Sequence, residues 1–321
     1  HSLVPSAAVL PATSLSPASV SSQMSSPHSN NNNSSNSPQQ GAAQTDDFQN
    51  SAFLGLDGLL MRLAGGMSSS RFRMIVNQLK NTQDDSEKLS TLHDLCNYFH
   101  YVSPDESLPS GIMEELASLL VPILLQQDCS PELMVMSARA ISNLCEACPV
   151  AASTFVRKNA HVALIGKLLN IEYIDVAEQA ISALELLSRE CPADILMAGG
   201  LGAVLEFLDF FPHLVQRVAL ATAANCCVRL NANLLSQVRP SFRNLVSLVS
   251  NSDDSVAESA CLALHRVLTS SCCQGDYVAS LIDLGILEAL SEFVRTSDTH
   301  HKDAAFGLGL KTLGALTAKN D

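Results

Sequence analysis

Residues Gln216–Cys227 read QRVALATAANCC, and nearly every position in this stretch is small or apolar. On a helix extended to Arg229, the polar exceptions Arg217, Asn225 and Arg229 fall four or eight residues apart and share one narrow stripe. A helix that is apolar on nearly all sides needs neighbours on both flanks, as a stacked repeat provides. The stretch therefore predicts a helix inside a repeat array, with one polar stripe open to solvent.

The adjacent cysteines Cys226 and Cys227 could instead mark a reactive or metal-binding site. Consecutive helical side chains point about 100° apart, so these two thiols cannot bind one ion together. Packing is the favoured interpretation, because cysteine is among the most frequently buried residue types. The ten cysteines lie mostly in helical patterns, which indicates a reducing compartment rather than a disulfide framework.

The helix-breaking residues of the chain recur at a regular interval. The helical stretches MSARAISNLCEAC and VAEQAISALELLSREC precede Pro149 and Pro192, and they align when residues 140–142 are paired with residues 180–182. QRVALATAANCC fits the next position, and SVAESACLALHRVL (Ser255–Leu268) fits the one after it. A period of about 40 residues with three helices per unit lies in the armadillo or HEAT range. The Gly breaks within each unit favour armadillo.

From Ser51 onward, apolar residues recur at spacings of three and four, and alternating patterns typical of strands are scarce. The predicted helices include Ile112–Gln126, Ala160–Leu169, Leu201–Phe211, Phe242–Val249 and Ile286–Val294. Residues 1–50 contain no Lys or Arg and are rich in Pro, Ser, Asn and Gln, so they offer little apolar surface to bury. We predict an all-α protein with a disordered segment over 1–50 and an armadillo-type right-handed superhelical solenoid over 51–321.

The charge balance disfavours two classes of partner. The chain has 19 Lys and Arg against 32 Asp and Glu, a formal net charge of −13, whereas nucleic acids and anionic membranes attract basic surfaces. Charges such as Glu206 and Asp209 interrupt every apolar run before it reaches the length of a membrane span. Because the chain begins at His1 rather than Met, we expect it to be cut from a longer one.

Motifs for catalysis or metal binding are weak. Cys145-x-x-Cys148 has zinc or redox spacing, but no second pair or nearby His completes four ligands. Three further patterns are also incomplete: His93-x-x-Cys96, the pair Cys272-Cys273, and Gly307-Leu-Gly309-Leu-Lys311, which lacks the ending of a phosphate loop. We predict no catalytic residue, no metal site and no cofactor in this chain.

The open polar stripe is the best candidate for a binding site. Projected onto the aligned third helices of the repeats, it consists of Arg139, Asn143, Gln179, Arg217, Asn225 and Arg229. We predict that these six residues line a cationic, amide-rich groove, because Asn can hydrogen-bond an extended peptide backbone and Arg can bind carboxylates. The alternative is an ordinary solvated helix face. Nuclear-import armadillo receptors carry Trp one turn before each groove Asn, and this chain has no Trp, which disfavours binding of import signals.

Two stretches are more specific than general armadillo patterning: IDVAEQA, which begins at Ile174, and QRVALATAANCC. With the upstream ESLPSG and LVPILL and the later SVAESACLALHRVL, they resemble the armadillo region of one group of HECT-type ubiquitin ligases, over roughly residues 86–270. This is the group of the ubiquitin-fusion-degradation and thyroid-receptor-interacting ligases and their plant relatives.

The resemblance implies a nuclear or cytosolic ligase whose armadillo region precedes a HECT domain that carries the catalytic cysteine. No catalytic residue of that domain corresponds to a position in this chain. The resemblance also implies that this segment recruits protein substrates or ubiquitin along its concave face. Two alternatives stay open: an armadillo adaptor unrelated to ubiquitin and, in another class, a self-contained enzyme.

Overall fold

The computed structural model describes residues 65–101, 110–126, 128–299 and 303–320, and the regular structure in these ranges is entirely helical. The disordered segment predicted over 1–50 lies outside the described residues. Within the described ranges, no helix combines the length and the apolar character that a bilayer crossing requires.

The helices follow one another with short connections. In chain order they are α1 (Gly65–Asn81), α2 (Asp85–Tyr101), α3 (Ser110–Leu125), α4 (Pro131–Ala147), α5 (Ala151–Arg157), α6 (Ala160–Leu169), α7 (Ile174–Glu190), α8 (Pro192–Met197), α9 (Gly200–Glu206), α10 (His213–Cys226), α11 (Ala232–Val238), α12 (Phe242–Leu248), α13 (Asp254–Thr269), α14 (Asp276–Asp283), α15 (Ile286–Thr299) and α16 (Asp303–Asn320). Two short 3-10 helices follow α9 and α11, at Leu208–Phe210 and Arg239–Ser241.

These helices form repeating units of three. The units are α5-α6-α7, α8-α9-α10, α11-α12-α13 and α14-α15-α16, and the pairs α1-α2 and α3-α4 precede them. The third helices α2, α4, α7, α10, α13 and α16 pack each against the next in one continuous stack. Successive third helices from α4 to α13 begin about 40 residues apart. The all-α class and the armadillo-type repeat are confirmed.

Small residues form the interior of the stack. Ala140 and Ala180, which the repeat alignment pairs, and Ala260 on α13 are all fully buried. Larger apolar side chains such as Ile181 and Leu264 fill the space between the helices. A continuous apolar core therefore runs through the repeats.

Residues with positive φ turn the chain between the first and second helices. Asn159, Gly199 and Gly285 precede α6, α9 and α15 with φ angles of 63°, 84° and 84°. Glycine adopts this conformation freely, and asparagine tolerates it better than most residues. The Gly breaks were predicted from the sequence, whereas Asn159 was not.

The predicted helix Leu201–Phe211 is wrong in its extent. The helix α9 ends at Glu206, Phe207 leaves the helical region with φ −115° and ψ 23°, and a 3-10 turn follows. The break matters because it leaves the Phe210 side chain exposed beside the start of α10.

Candidate partner-binding groove

The cysteine pair that raised the question of a reactive site is buried in the stack. Cys226 and Cys227 lie against core residues at the end of α10, and burial raises the pKa of the Cys227 thiol to about 12. Burial also raises the pKa of the Cys226 thiol. A thiol with so high a pKa is protonated at neutral pH and is a poor nucleophile or metal ligand. The packing interpretation is confirmed.

Five of the six predicted groove residues lie on third helices. Arg139 and Asn143 lie on α4, Gln179 on α7, and Arg217 and Asn225 on α10. The two arginines are exposed and the three amides are half-buried. We call these five residues the polar track. Whether they bind a partner stays a prediction.

Each residue of the polar track contacts a neighbouring repeat. Arg139 Nε donates to Gln179 Oε1 at 3.3 Å, which joins α4 to α7. Asn143 Nδ2 donates to the carbonyl oxygen of Cys96 on α2 at 3.4 Å. On α10, the Asn225 amide donates to Ser188 Oγ at 3.1 Å. These bonds hold the side chains of the track in a row across successive third helices.

Arg217 is held more firmly than the other track residues. Its Nε and Nη2 atoms donate to the two carboxylate oxygens of Asp253, at 3.2 and 2.8 Å. The Asp253 side chain is only 7% exposed, and it also caps α13 by accepting from the backbone N–H groups of Ser255 and Val256. The hydrogen bond from Arg217 lowers the pKa of Asp253. This ion pair largely neutralises the charge of Arg217.

Arg229 does not continue the polar stripe as the sequence predicted. The helix α10 ends at Cys226, and the last turn tightens as Cys227 N bonds Ala224 O and Val228 N bonds Asn225 O. Arg229 follows in that turn with a φ of 51° and an exposed side chain. The helical placement of Arg229 is therefore wrong, because the helix stops three residues earlier.

Half-buried apolar residues, which the sequence does not distinguish from core residues, lie on the same faces. Ala221 lies one turn from both Arg217 and Asn225 on α10, and Leu186 lies two turns after Gln179 on α7. From the sequence alone such residues look like core positions. The open face of the stack therefore combines amides with small apolar patches.

The pairing of Arg217 with Asp253 makes the groove less cationic than the sequence predicts. Glu146 is exposed on α4, within a turn of Asn143. With Arg217 paired to Asp253, Arg139 is the track arginine that no carboxylate neutralises in the described residues. Charges of both signs therefore lie along this face of the stack.

The inter-repeat bonds continue towards the C-terminal end of the stack. The Arg266 guanidinium on α13 donates to the carbonyl oxygen of Ala224 on α10. Thr312 Oγ on α16 lies 3.3 Å from His265 Nδ1 on α13. Burial lowers the pKa of both His265 and Arg266. Polar contacts thus tie α2 to α16 along one side of the stack.

Comparison with known proteins identifies the family of the chain. The family model described as E3 ubiquitin-protein ligase TRIP12-like, TPR repeats, matches residues 6–197, more than half of the sequence. The chain belongs to this family. The description names TPR repeats, which are helix pairs, whereas the units from α5 to α16 each contain three helices.

The relatives support the same assignment. The E3 ubiquitin-protein ligase UPL3 of Arabidopsis thaliana is 32% identical over 263 residues, which cover 80% of this chain and 14% of that protein. Ubiquitin fusion degradation protein 4 of Saccharomyces cerevisiae is 27% identical over 267 residues, covering 78% of this chain and 17% of the relative. The chain therefore spans less than a fifth of either relative. The resemblance to this group of ligases is confirmed.

Solved structures support the fold. A crystal structure of computationally designed armadillo repeat proteins for modular peptide recognition matches with a TM-score of 0.63 and 22% identity. The match covers 76% of this chain and 99% of the designed protein. This likeness establishes the armadillo architecture.

Proposed function

We propose that this region recruits protein substrates or ubiquitin to a HECT-type ubiquitin ligase, by binding them along the polar track. The observation that carries the proposal is the row of inter-repeat hydrogen bonds, which holds polar side chains in fixed positions across the third helices. Membership in the ligase family supports the link to ubiquitin. The ten free cysteines suit a protein of the nucleus or cytoplasm.

The dimensions of the track suit an extended peptide segment. Packed helices lie about 8–10 Å apart, so the four third helices from α4 to α13 present a face about 30 Å long. An extended chain rises about 3.3 Å per residue, so about nine residues would cross this face. The partner is therefore an extended segment rather than a single side chain.

The amides of the track are arranged to bind peptide backbone. The Nδ2 groups of Asn143 and Asn225 already donate to the preceding repeat, and in the described residues their Oδ1 atoms accept no hydrogen bond. Each Oδ1 can therefore accept from an N–H group of the partner. Because the amides are already held in place, little side-chain entropy is lost on binding.

Other side chains of this face determine which side chains the partner segment presents. Arg139 can bind a carboxylate of the partner, and the half-buried Ala221 and Leu186 offer shallow apolar contacts. Holding a substrate on the same chain as a catalytic domain raises its effective concentration there. Recruitment alone therefore accelerates ubiquitin transfer.

The proposal is tested by titrating ubiquitin and a ubiquitin-fused substrate against the wild-type chain and two charge reversals. Arg139→Glu removes the unneutralised arginine of the track. Arg243→Glu makes the same change on the exposed face of the second helix α12. A charge-assisted hydrogen bond is worth roughly 1.5–3 kcal/mol, so Arg139→Glu should weaken binding about 10- to 100-fold. Equal affinities for all three proteins would contradict the proposal and show that the polar track is an ordinary solvated helix face.

A further inference from the structure

A second surface lies where α3 and α6 meet the N-terminal ends of α4 and α7. It is a pocket of about 600 Å³, within the usual size range of ligand pockets. Its floor consists of buried apolar residues: Leu124, Met134, Ala163 and Val176. Its walls include three exposed apolar side chains, Leu125, Val162 and Tyr173, with exposures of 57%, 48% and 40%. Exposed apolar side chains gathered around a pocket mark an interaction site.

Tyr173 occupies a position that favours a different residue type. It is the N-cap residue of α7, with extended backbone angles of φ −131° and ψ 120°, and its side chain caps no backbone N–H. Ser, Asp or Asn is strongly preferred at such a position, and α4 and α13 have Ser130 and Asp253 there. The aromatic ring thus lines the pocket at the expense of a helix cap. Local rules of this kind are broken most often at functional sites.

Two carboxylates act on the Tyr173 hydroxyl. The negative charges of Glu172 and Glu132, together with burial, raise the pKa of the Tyr173 hydroxyl, with Glu172 the largest cause. Glu172 lines the pocket and both glutamates are exposed. Lys167 on α6 is the one basic residue among those that line this pocket. The rim therefore attracts cationic groups.

We propose that this pocket docks a short peptide segment of a partner protein, with one large apolar residue in the pocket and Lys or Arg on either side of it. The apolar floor and walls take the anchor residue, and the carboxylates of Glu132 and Glu172 bind the flanking cations. This surface is formed by α3, α6 and the N-terminal ends of α4 and α7, and none of the five polar-track residues lines it.

Gly166 offers a way to fill the pocket without disturbing the fold. It lines the pocket on α6, and a Cβ atom added there meets no other atom within 4 Å. Gly202 is its matched control, because it lies exposed on the second helix of the next unit and is equally open. Gly166→Leu should therefore block the pocket, whereas Gly202→Leu adds the same side chain outside it.

The probe is a fluorescein-labelled peptide, Gly-Lys-Arg-Phe-Lys-Arg-Gly, whose binding to the full 321-residue chain is followed by fluorescence anisotropy. We expect saturable binding that Gly166→Leu weakens at least 10-fold and Gly202→Leu leaves unchanged. A peptide with Ser in place of Phe should bind at least 10-fold more weakly. Absence of saturable binding up to about 1 mM peptide, or equal loss in both glycine variants, would overturn the proposal.

A second pair of variants separates local charge from net charge. Glu132→Lys with Glu172→Lys changes the rim, and Glu206→Lys with Asp209→Lys makes the same change in net charge in the next unit. Only the first pair of substitutions should weaken binding of the peptide, and the loss of affinity should be larger at low salt. If both pairs weakened peptide binding equally, the charge effect would come from the net charge of the chain and not from Glu132 and Glu172. Sedimentation showing self-association that Gly166→Leu abolishes would assign the pocket to a second copy of the chain and overturn the proposal.

Discussion

Replacing Ala224 by leucine tests the packing of the third-helix stack. Ala224 is 3% exposed on α10, which packs against α7 on one side and α13 on the other. Its carbonyl oxygen also accepts the hydrogen bond from Arg266. Three added carbons would push against helices that cannot move independently. Overpacking of this kind costs roughly 1–3 kcal/mol, and contact on both sides favours the upper part of that range.

Ala221→Leu is the matched control on the same helix. Ala221 lies one turn earlier, is partly exposed, and faces the polar track. Alanine and leucine have similar helix propensities, so Ala221→Leu should change stability by no more than about 0.5 kcal/mol. The same change should weaken partner binding, because the larger side chain projects over the track between Arg217 and Asn225.

Thermal unfolding followed by far-ultraviolet circular dichroism measures both changes. In a protein of this size, 1 kcal/mol corresponds to about 2–4 °C in Tm, so a cost of about 2–3 kcal/mol should lower the Tm of Ala224→Leu by about 4–12 °C. Ala221→Leu should stay within about 2 °C of the wild type. Equal shifts for the two variants would refute the reasoning, because they would show that both faces of α10 are packed alike.

Substitutions at Asp253, Gly200 and Tyr173 test individual contacts of the fold. Asp253→Ala should cost about 1 kcal/mol in urea unfolding through loss of the α13 cap, whereas Asp253→Asn should cost less. The pKa of Asp253 is lower in the folded protein than its unfolded value of about 3.9, so the ionised carboxylate stabilises the fold above that value. In an acid titration of the wild type, this stability should be lost as the pH falls through the folded pKa. The free energy of unfolding of Asp253→Asn should fall less steeply over the same pH range. Gly200→Ala should lower Tm, because the added Cβ would lie 2.5 Å from Ile195 Cγ2 and 2.8 Å from the Ile195 carbonyl oxygen. Gly166→Ala should raise Tm, because its Cβ meets no other atom and alanine favours the helix over glycine. Tyr173→Asp should raise Tm by adding a cap to α7 while it abolishes binding of the fluorescein-labelled peptide; a lower Tm, or unchanged peptide binding, would contradict this.

The repeat architecture could be predicted because it is encoded locally. The small-residue helices around Ala140, Ala180 and Ala260 repeat their spacing along the chain, and the glycines between helices mark where each turn lies. Helix ends were predicted less well. The end of α10 at Cys226 depends on hydrogen bonds of its last turn, so Arg229 was placed on a helix that had already ended.

The candidate site required the structure for a different reason. The partners of the polar track lie about 40 residues away, and which side chains meet depends on the register between adjacent helices. The pairing of Arg217 with Asp253, which neutralises the predicted cation, therefore could not be read from the periodicity. The pocket beside Tyr173 was missed because exposed and buried apolar residues look alike in a helical sequence.

Site-directed photo-crosslinking tests recruitment along the polar track most directly. A p-benzoylphenylalanine replaces Ser182, which is half-buried on α7 between Gln179 and Leu186, or Asn244, which is exposed on the second helix α12. Each variant is irradiated with a ubiquitin-fused substrate. Recruitment along the track predicts a crosslinked adduct at Ser182 and none at Asn244. An adduct at Asn244 alone, or equal adducts at both positions, would contradict it.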